Sequence, residues 1–233
     1  MDKLVFTKNV NENFKNININ FFSQIEIYKI FLQEYNKKTN LTRLDSEDKI
    51  YGEYFLDSVL PYKSIEFKKD MSILDIGSGS GIPGIVLKLL YPQIVLTIIE
   101  SNGKKVTFLK ELCKKLNIEV TIYMKRAEDI RNNEREKYDI VTSRAVSELC
   151  TILEVSIPYC KVGGLIIEPK GSHYKDEFEN AKKIILATKI ELINTISYDT
   201  TYQNNILVFK KNEITDKIYP RKWNEIIKDE QSN

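Results

Sequence analysis

From Ser72 onward, short apolar runs alternate with longer segments whose apolar positions recur at helical spacing. The runs predict strands over 72–76, 94–100, 119–124, 137–142 and 162–168, with helices between them. Strands alternating with helices imply parallel βαβ units, whose right-handed crossovers place helices on both faces of one sheet. Past Gly171 the rhythm changes: a helix over 175–187, then ELINTISY and NNILVFKK, two strands joined by a short polar loop that complete the sheet as an antiparallel pair. Ahead of the sheet, Phe21, Phe22, Ile25, Tyr28, Ile30, Phe31, Leu32 and Tyr35 predict an amphipathic helix over 21–38. Asp45 or Ser46 can cap a second helix, with Glu47 and Asp48 in its first turn, that runs to a stop at Pro61. Residues 1–20, rich in Asn and Lys, predict a frayed tail before these helices. The fold class is therefore α/β: a helical cap over 1–65 and a sheet-based unit over 66–233, integrated in one domain.

The stretch from Ser72 to Glu100 concentrates the candidate chemistry. It reads as an apolar strand, a turn with glycines at 77, 79, 81 and 84, an apolar helix, and a second strand ending in an acid. Glycines allow positive φ and close approach to a ligand, and an acid at the next strand's end can bind ribose hydroxyls. The turn parses as GxGxG from Gly77 or as GxGxxG from Gly79, and the second parse alone would suggest a nicotinamide dinucleotide. Two neighbours favour S-adenosylmethionine. Asp75 places a carboxylate where a dinucleotide site usually carries apolar packing, and it could face the donor's cationic sulfonium and ammonium. Pro83 removes an N–H that a pyrophosphate would use.

Composition narrows the setting. The 233 residues include 35 Lys+Arg and 33 Asp+Glu, a net +2, so a nucleic-acid partner must be met by a local basic patch. Cys113, Cys150 and Cys160 have neither CxxC spacing nor an even count, which fits packing in a reducing cytoplasm better than disulfides or a metal site. No apolar core of a leader and no run of roughly 18 apolar residues is present, so a soluble cytoplasmic protein is expected.

Across nearly its whole length the chain resembles the bacterial small-subunit ribosomal RNA guanine-N7 methyltransferases, the glucose-inhibited division protein B family. The resemblance rests on YNKKTNLT (35–42), FLDSVLP (55–61), LDIGSGSGIPGI (74–85), IIESNGKKVTFL (98–109), RAED (126–129), VTSRAVSEL (141–149), EPKG (168–171) and YPRK (219–222). It implies a class I Rossmann-like methyltransferase with a helical cap, using S-adenosylmethionine and acting on 16S ribosomal RNA or the small subunit as a monomer, without metal. It also implies donor contacts at Gly77, Ile82, Glu100, Ala127, Glu128 and Arg144, which join Asp75, Gly79 and Gly81 from the glycine turn, with Arg144 as the residue nearest the chemistry. The chain departs from the family at Glu53-Tyr54, where Arg-His is common, and after YPRK, where WNEIIKDE replaces a basic Gly/Pro/Lys tail.

Methylating guanine N7 needs no base, because N7 is an unprotonated lone pair; positioning is the main task. This agrees with a chain that has a single histidine, His173, expected in an exposed loop, and no Ser/His/Asp or Cys/His constellation that stands out. RNA contacts call for Lys, Arg and polar groups beside the donor: Asn36, Asn40, Lys104, Lys105, Arg126, Lys170, Arg221 and Lys222, with Arg144. Several fit a structural role equally well: Lys104 and Lys105 a solvated helix face, Asn36 and Asn40 a helix end, Glu128 an exposed charged segment. Other readings of the same residues are a methyltransferase of another RNA or a small molecule, an NAD-dependent oxidoreductase, and a non-catalytic RNA-binding module.

Overall fold

The structure, a computed structural model, describes residues 1–39, 41–42, 46–199 and 203–230. Helix α1 (Lys3–Asn13) replaces the frayed tail expected at the N-terminus: Asp2 caps it by accepting from the Val5 N–H at 2.9 Å, and Phe6 and Val10 are buried. That i, i+4 pair anchors the helix despite its polar remainder, with the Phe6 ring 5.3 Å from Tyr51. Helix α2 (Phe21–Thr39) follows as expected, burying Phe21, Ile25, Tyr28, Phe31 and Leu32.

The second cap helix is less uniform than its sequence suggests. It starts as α3 (Glu47–Lys49), widens into π-helical turns over Ile50–Leu56, resumes as α4 (Asp57–Val59) and tightens over Leu60–Tyr62. The wide turns bury Ile50, Tyr51, Gly52, Tyr54, Phe55 and Leu56 together, more of the circumference than a regular amphipathic helix hides. Ser46 is the N-cap but makes no side-chain capping bond, and Asp45 lies outside the described residues.

Strands β1 (Ser72–Ile76), β2 (Val95–Glu100), β3 (Thr121–Met124), β4 (Tyr138–Ser143), β5 (Cys160–Lys170), β6 (Ile190–Asp199) and β7 (Gln203–Lys211) form one sheet in the order β3-β2-β1-β4-β5-β7-β6. The first five pair in parallel, and β7 runs antiparallel between β5 and β6. The predicted architecture is thus found, with strand ends moved by up to two residues. Helices α5 (Gly84–Leu90), α6 (Gly103–Leu116), α7 (Leu149–Ser156), α8 (Tyr174–Thr188) and α9 (Trp223–Glu230) complete the chain.

Alternation along the strands sends side chains into two cores. Ile73, Ile98, Ile140 and Ile167 pack with α5, α6 and the cap; Leu74, Ile76, Ile99 and Val141 pack with α7, α8 and Ile226 of α9. Because the strand order reverses at β1, with β2 on one side and β4 on the other, the carboxyl ends of β1, β2 and β4 meet in a crevice, where open α/β sheets bind ligands. All three cysteines are free, Cys113 and Cys160 buried and Cys150 half-buried, in line with packing roles. No helix among the described residues is long and apolar enough to cross a membrane, and no group of three or more His, Cys, Asp or Glu among them could hold a metal ion.

Candidate functional site

The glycine turn is fixed from below by two acids. Asp75 is fully buried; its Oδ2 accepts from Ser78 Oγ at 2.5 Å and from the Gly84 N–H at 2.8 Å. Burial pushes its carboxyl up to about 8. Its Oδ1 has no partner among the described residues. Glu100, also buried, accepts from the Gly79 N–H at 2.9 Å through Oε2 and from the Asn102 N–H at 2.8 Å through Oε1. Gly77 has φ +67°, and a Cβ there would come within 2.7 Å of Val146 Cγ2, so a side chain is excluded on both conformational and steric grounds.

The cap holds the same turn from above. The hydroxyls of Tyr28 on α2 and Tyr54 in the π-helical turns both donate to the Ser80 carbonyl, Tyr54 at 2.9 Å, and Tyr54 also reaches Ser80 Oγ at 2.5 Å. Both rings are buried, and a Cβ on Gly81 would lie 2.5 Å from the Tyr28 hydroxyl. Burial pushes Tyr54 up to about 12 and Tyr28 well above its ordinary value, so both stay protonated donors. The sequence marks these tyrosines only as core residues; their role in the turn comes from tertiary packing.

In front of the turn opens a cleft lined by Gly77, Ile99, Ser101, Lys125 to Glu128, Val146, Ser147, Ile152 and Trp223. Of the predicted donor residues, Gly77, Ala127 and Glu128 stand in its wall; Gly79 and Glu100, joined by their hydrogen bond, do not line it. Asp75, Gly81, Ile82 and Arg144 are absent from the wall. The Ala127 carbonyl accepts from the Tyr159 hydroxyl at 2.8 Å, and Glu128, mostly shielded, is 3.8 Å from the Arg126 guanidinium.

Arg144 faces a second, more polar cavity with Asp57, Lys170, Glu177, Tyr198 and Asn204; Ser147 lines both. The Arg144 guanidinium donates to Asp57 Oδ2 at 2.6 Å, the Glu53 carbonyl at 2.7 Å and Ser58 Oγ at 3.1 Å. It thereby ties β4 to the cap, and Glu53, which stands where the family shows a basic residue, contributes through its backbone. Lys170 is equally engaged, 2.6 Å from Glu177 and donating to the Ser147 carbonyl at 2.9 Å. Beneath them Glu168 is buried, with Oε2 accepting from Ser143 Oγ at 2.6 Å; burial pushes it up to about 8.

The other expected RNA contacts divide. Lys104 and Lys222 are exposed, Arg126 is largely so, and Lys105 is half-buried with Nζ 3.9 Å from where a Gly79 Cβ would stand. Arg221 is committed inside the protein: its Nε and Nη2 grip the buried Glu154 at 2.9 and 2.7 Å. Asn36 is taken by the chain turn that follows α2, exchanging hydrogen bonds of 2.9 and 2.8 Å with Thr42. Asn40 lies outside the described residues. His173 is exposed and 3.9 Å from Asp176, the loop position expected of it.

This sheet order, with a glycine turn after β1 and an acid at the end of β2, defines the class I type of S-adenosylmethionine-dependent methyltransferase fold. A SAM-dependent methyltransferase from Aquifex aeolicus superposes with a TM-score of 0.56 at 18% identity, covering 73% of this chain and 97% of that one. A ribosomal protein L11 methylase from Lactobacillus delbrueckii gives 0.52 at 14%, covering 67% and 77%. The family model described as rRNA small subunit methyltransferase G (GidB) matches residues 22–207, and the chain belongs to that family. Proteins named ribosomal RNA small subunit methyltransferase G are 45% identical over 215 residues in Malacoplasma penetrans (90% of each chain) and 44% over 212 residues in Ureaplasma parvum (89% of this chain, 90% of that one). The Bacillus pumilus protein of that name is 38% identical over 205 residues, 85% of this chain and 86% of its own.

Proposed function

We propose that this protein transfers the methyl group of S-adenosylmethionine to N7 of a guanine in 16S ribosomal RNA. The observation that carries the reading is the pairing of two cavities that share Ser147: one walled by Gly77, Ala127 and Glu128, the other by Arg144 and Lys170. The first fits the donor. The carboxylate of Glu100 keeps acceptor capacity beyond its two backbone bonds for ribose hydroxyls. Bound there, the donor supplies a methyl group on a sulfonium, and every other requirement falls on the protein.

Gly77 and Gly79 bring main chain against the donor, and Glu100 holds both the turn and the ribose. Glu128 serves the adenine edge. Asp75 acts as a positioning residue: it fixes Ser78 and Gly84 from behind the turn. Arg144, anchored on Asp57, shapes the entry through which an unstacked guanine reaches the cleft, and no residue has to remove a proton from N7. Exposed Lys104, Lys222 and Arg126 supply phosphate contacts that add affinity without reading sequence. The substrate is the small subunit or its RNA, the protein acts as a cytoplasmic monomer without metal, and residues 1–65 form the cap on the methyltransferase unit.

Incubation with labelled donor and unmodified 16S RNA or small subunits should mark one guanine at N7. Label on protein or small molecules alone would overturn the reading. Calorimetry adds a separate check, in which S-adenosylhomocysteine binds and NADH does not.

A further inference from the structure

We propose that Trp223, the first residue of α9, is a wall of the adenine subsite and stacks on the adenine ring; this rests on the donor reading above. Trp223 is the chain's only tryptophan. It is 37% exposed and lines the same cleft as Gly77, Ala127 and Glu128, although some 95 residues of chain separate it from Glu128. The Arg126 guanidinium lies 6.0 Å from the Trp223 ring centroid, and that arginine is in turn 3.8 Å from Glu128. Indole, guanidinium and carboxylate thus form a chain along one side of the cleft.

The indole is not there by accident of a loose tail. The Arg221 backbone N–H and guanidinium both bind the buried Glu154, and the Arg135 guanidinium holds the tail's carbonyls at Asp216 and Tyr219, at 3.1 and 2.8 Å. On the other side of Trp223, Ile226 is buried in the core formed with α7 and α8. The ring is therefore held from both ends of its segment, at the edge of a cleft whose wall is apolar at Ile99, Ala127 and Ile152, basic at Lys125 and Arg126 and acidic at Glu128. A flat heteroaromatic with polar edges fits those surroundings better than a ribose or an aliphatic amino acid. Base–aromatic stacking tolerates any π-face and is worth about fivefold to a hundredfold in affinity.

The single indole is its own reporter. Titration of the wild-type chain with S-adenosylhomocysteine, excited at the red edge of indole absorption, should change Trp223 emission saturably. Adenosine should reproduce the change and methionine should not. By calorimetry, Trp223→Ala should weaken S-adenosylhomocysteine about tenfold or more, and Trp223→Phe should recover most of the loss. If the wild type binds S-adenosylhomocysteine calorimetrically but emission stays constant and Trp223→Ala binds equally well, Trp223 is no part of the subsite. A response to methionine in place of adenosine would overturn the assignment to adenine. Absence of binding to the wild type would overturn the donor reading itself, and the inference with it.

Discussion

The two tyrosines above the glycine turn make a prediction that depends on counting donors. The Ser80 carbonyl accepts from both Tyr28 and Tyr54, and Tyr54 also bonds Ser80 Oγ, in a site where all three residues are buried. Tyr28→Phe removes its bond to the carbonyl and a long 3.3 Å contact with the Tyr54 hydroxyl but leaves the carbonyl satisfied, so the expected cost is one net hydrogen bond, about 1 kcal/mol. Tyr54→Phe removes two bonds, again leaving the carbonyl a donor, for about 1.5 kcal/mol. The double variant strips the carbonyl of both, and an unsatisfied buried acceptor adds about 1–3 kcal/mol of desolvation. Its total of about 4 kcal/mol therefore exceeds the sum of the singles, and in a chain of this length lowers the melting temperature by about 10 °C. Urea unfolding of the four proteins yields the coupling directly, and S-adenosylhomocysteine affinity, measured alongside, should fall most in the double variant. Additivity within about 0.5 kcal/mol would refute the clamp, since it would mean that the carbonyl finds another partner once the hydroxyls are gone.

Other substitutions probe the turn and its surroundings. Gly84→Ala would place a Cβ 2.6 Å from Asp75 Oδ2 and 3.1 Å from Leu96 Cδ1. Overpacking of about 1–3 kcal/mol should outweigh a helix-propensity gain of about 1 kcal/mol, giving a lower melting temperature; an unchanged or raised one would show that Asp75 moves freely. Burial pushes Glu168 up to about 8 from an ordinary 4.5, so the folded chain holds that proton more tightly than the unfolded one. Stability then falls as pH rises between about 5 and 8, by up to about 1.4 kcal/mol per pH unit for this group, and Glu168→Gln should flatten that part of the melting profile. An identical pH slope in the variant would show that Glu168 is ionised throughout. Arg144→Ala leaves Asp57 without its guanidinium and should cost about 3 kcal/mol, while S-adenosylhomocysteine affinity changes by less than about threefold. A tenfold loss of that affinity at unchanged stability would return Arg144 to the donor cleft.

The parallel sheet was legible because its strands are short, apolar and bounded by turn residues, and the glycine turn because few other residues tolerate its backbone. Helix α1 was not, since only Phe6 and Val10 mark its buried face among polar neighbours. The π-helical turns carry no signal separate from that of an amphipathic helix. The site was harder to read wherever a charge meets a partner distant in sequence. Arg221 looks like a free cation in YPRK, yet it closes on Glu154, 67 residues earlier. Arg144 resembles a ligand-facing arginine but reaches back to Asp57. Trp223 fell in a tail that pattern alone leaves unplaced; the Glu154 and Arg135 contacts that bring it to the cleft exist only in the folded chain.

The position of β7 has a consequence for how the protein is made and for how it tolerates shortening. Though last of the strands in sequence, β7 is interior, and β6 joins the sheet only through it. During synthesis β5 therefore keeps an open edge, and β6 has no strand to pair with, until the chain has passed Lys211. That residue enters last and is fully buried, its ammonium donating to Glu136 and to the carbonyls of Ile157 and Cys160. A ribosome stalled before residue 203 would release a chain with two strands unpaired rather than one. Such a fragment would keep the glycine turn yet expose the edge of β5 to whatever strand it met first.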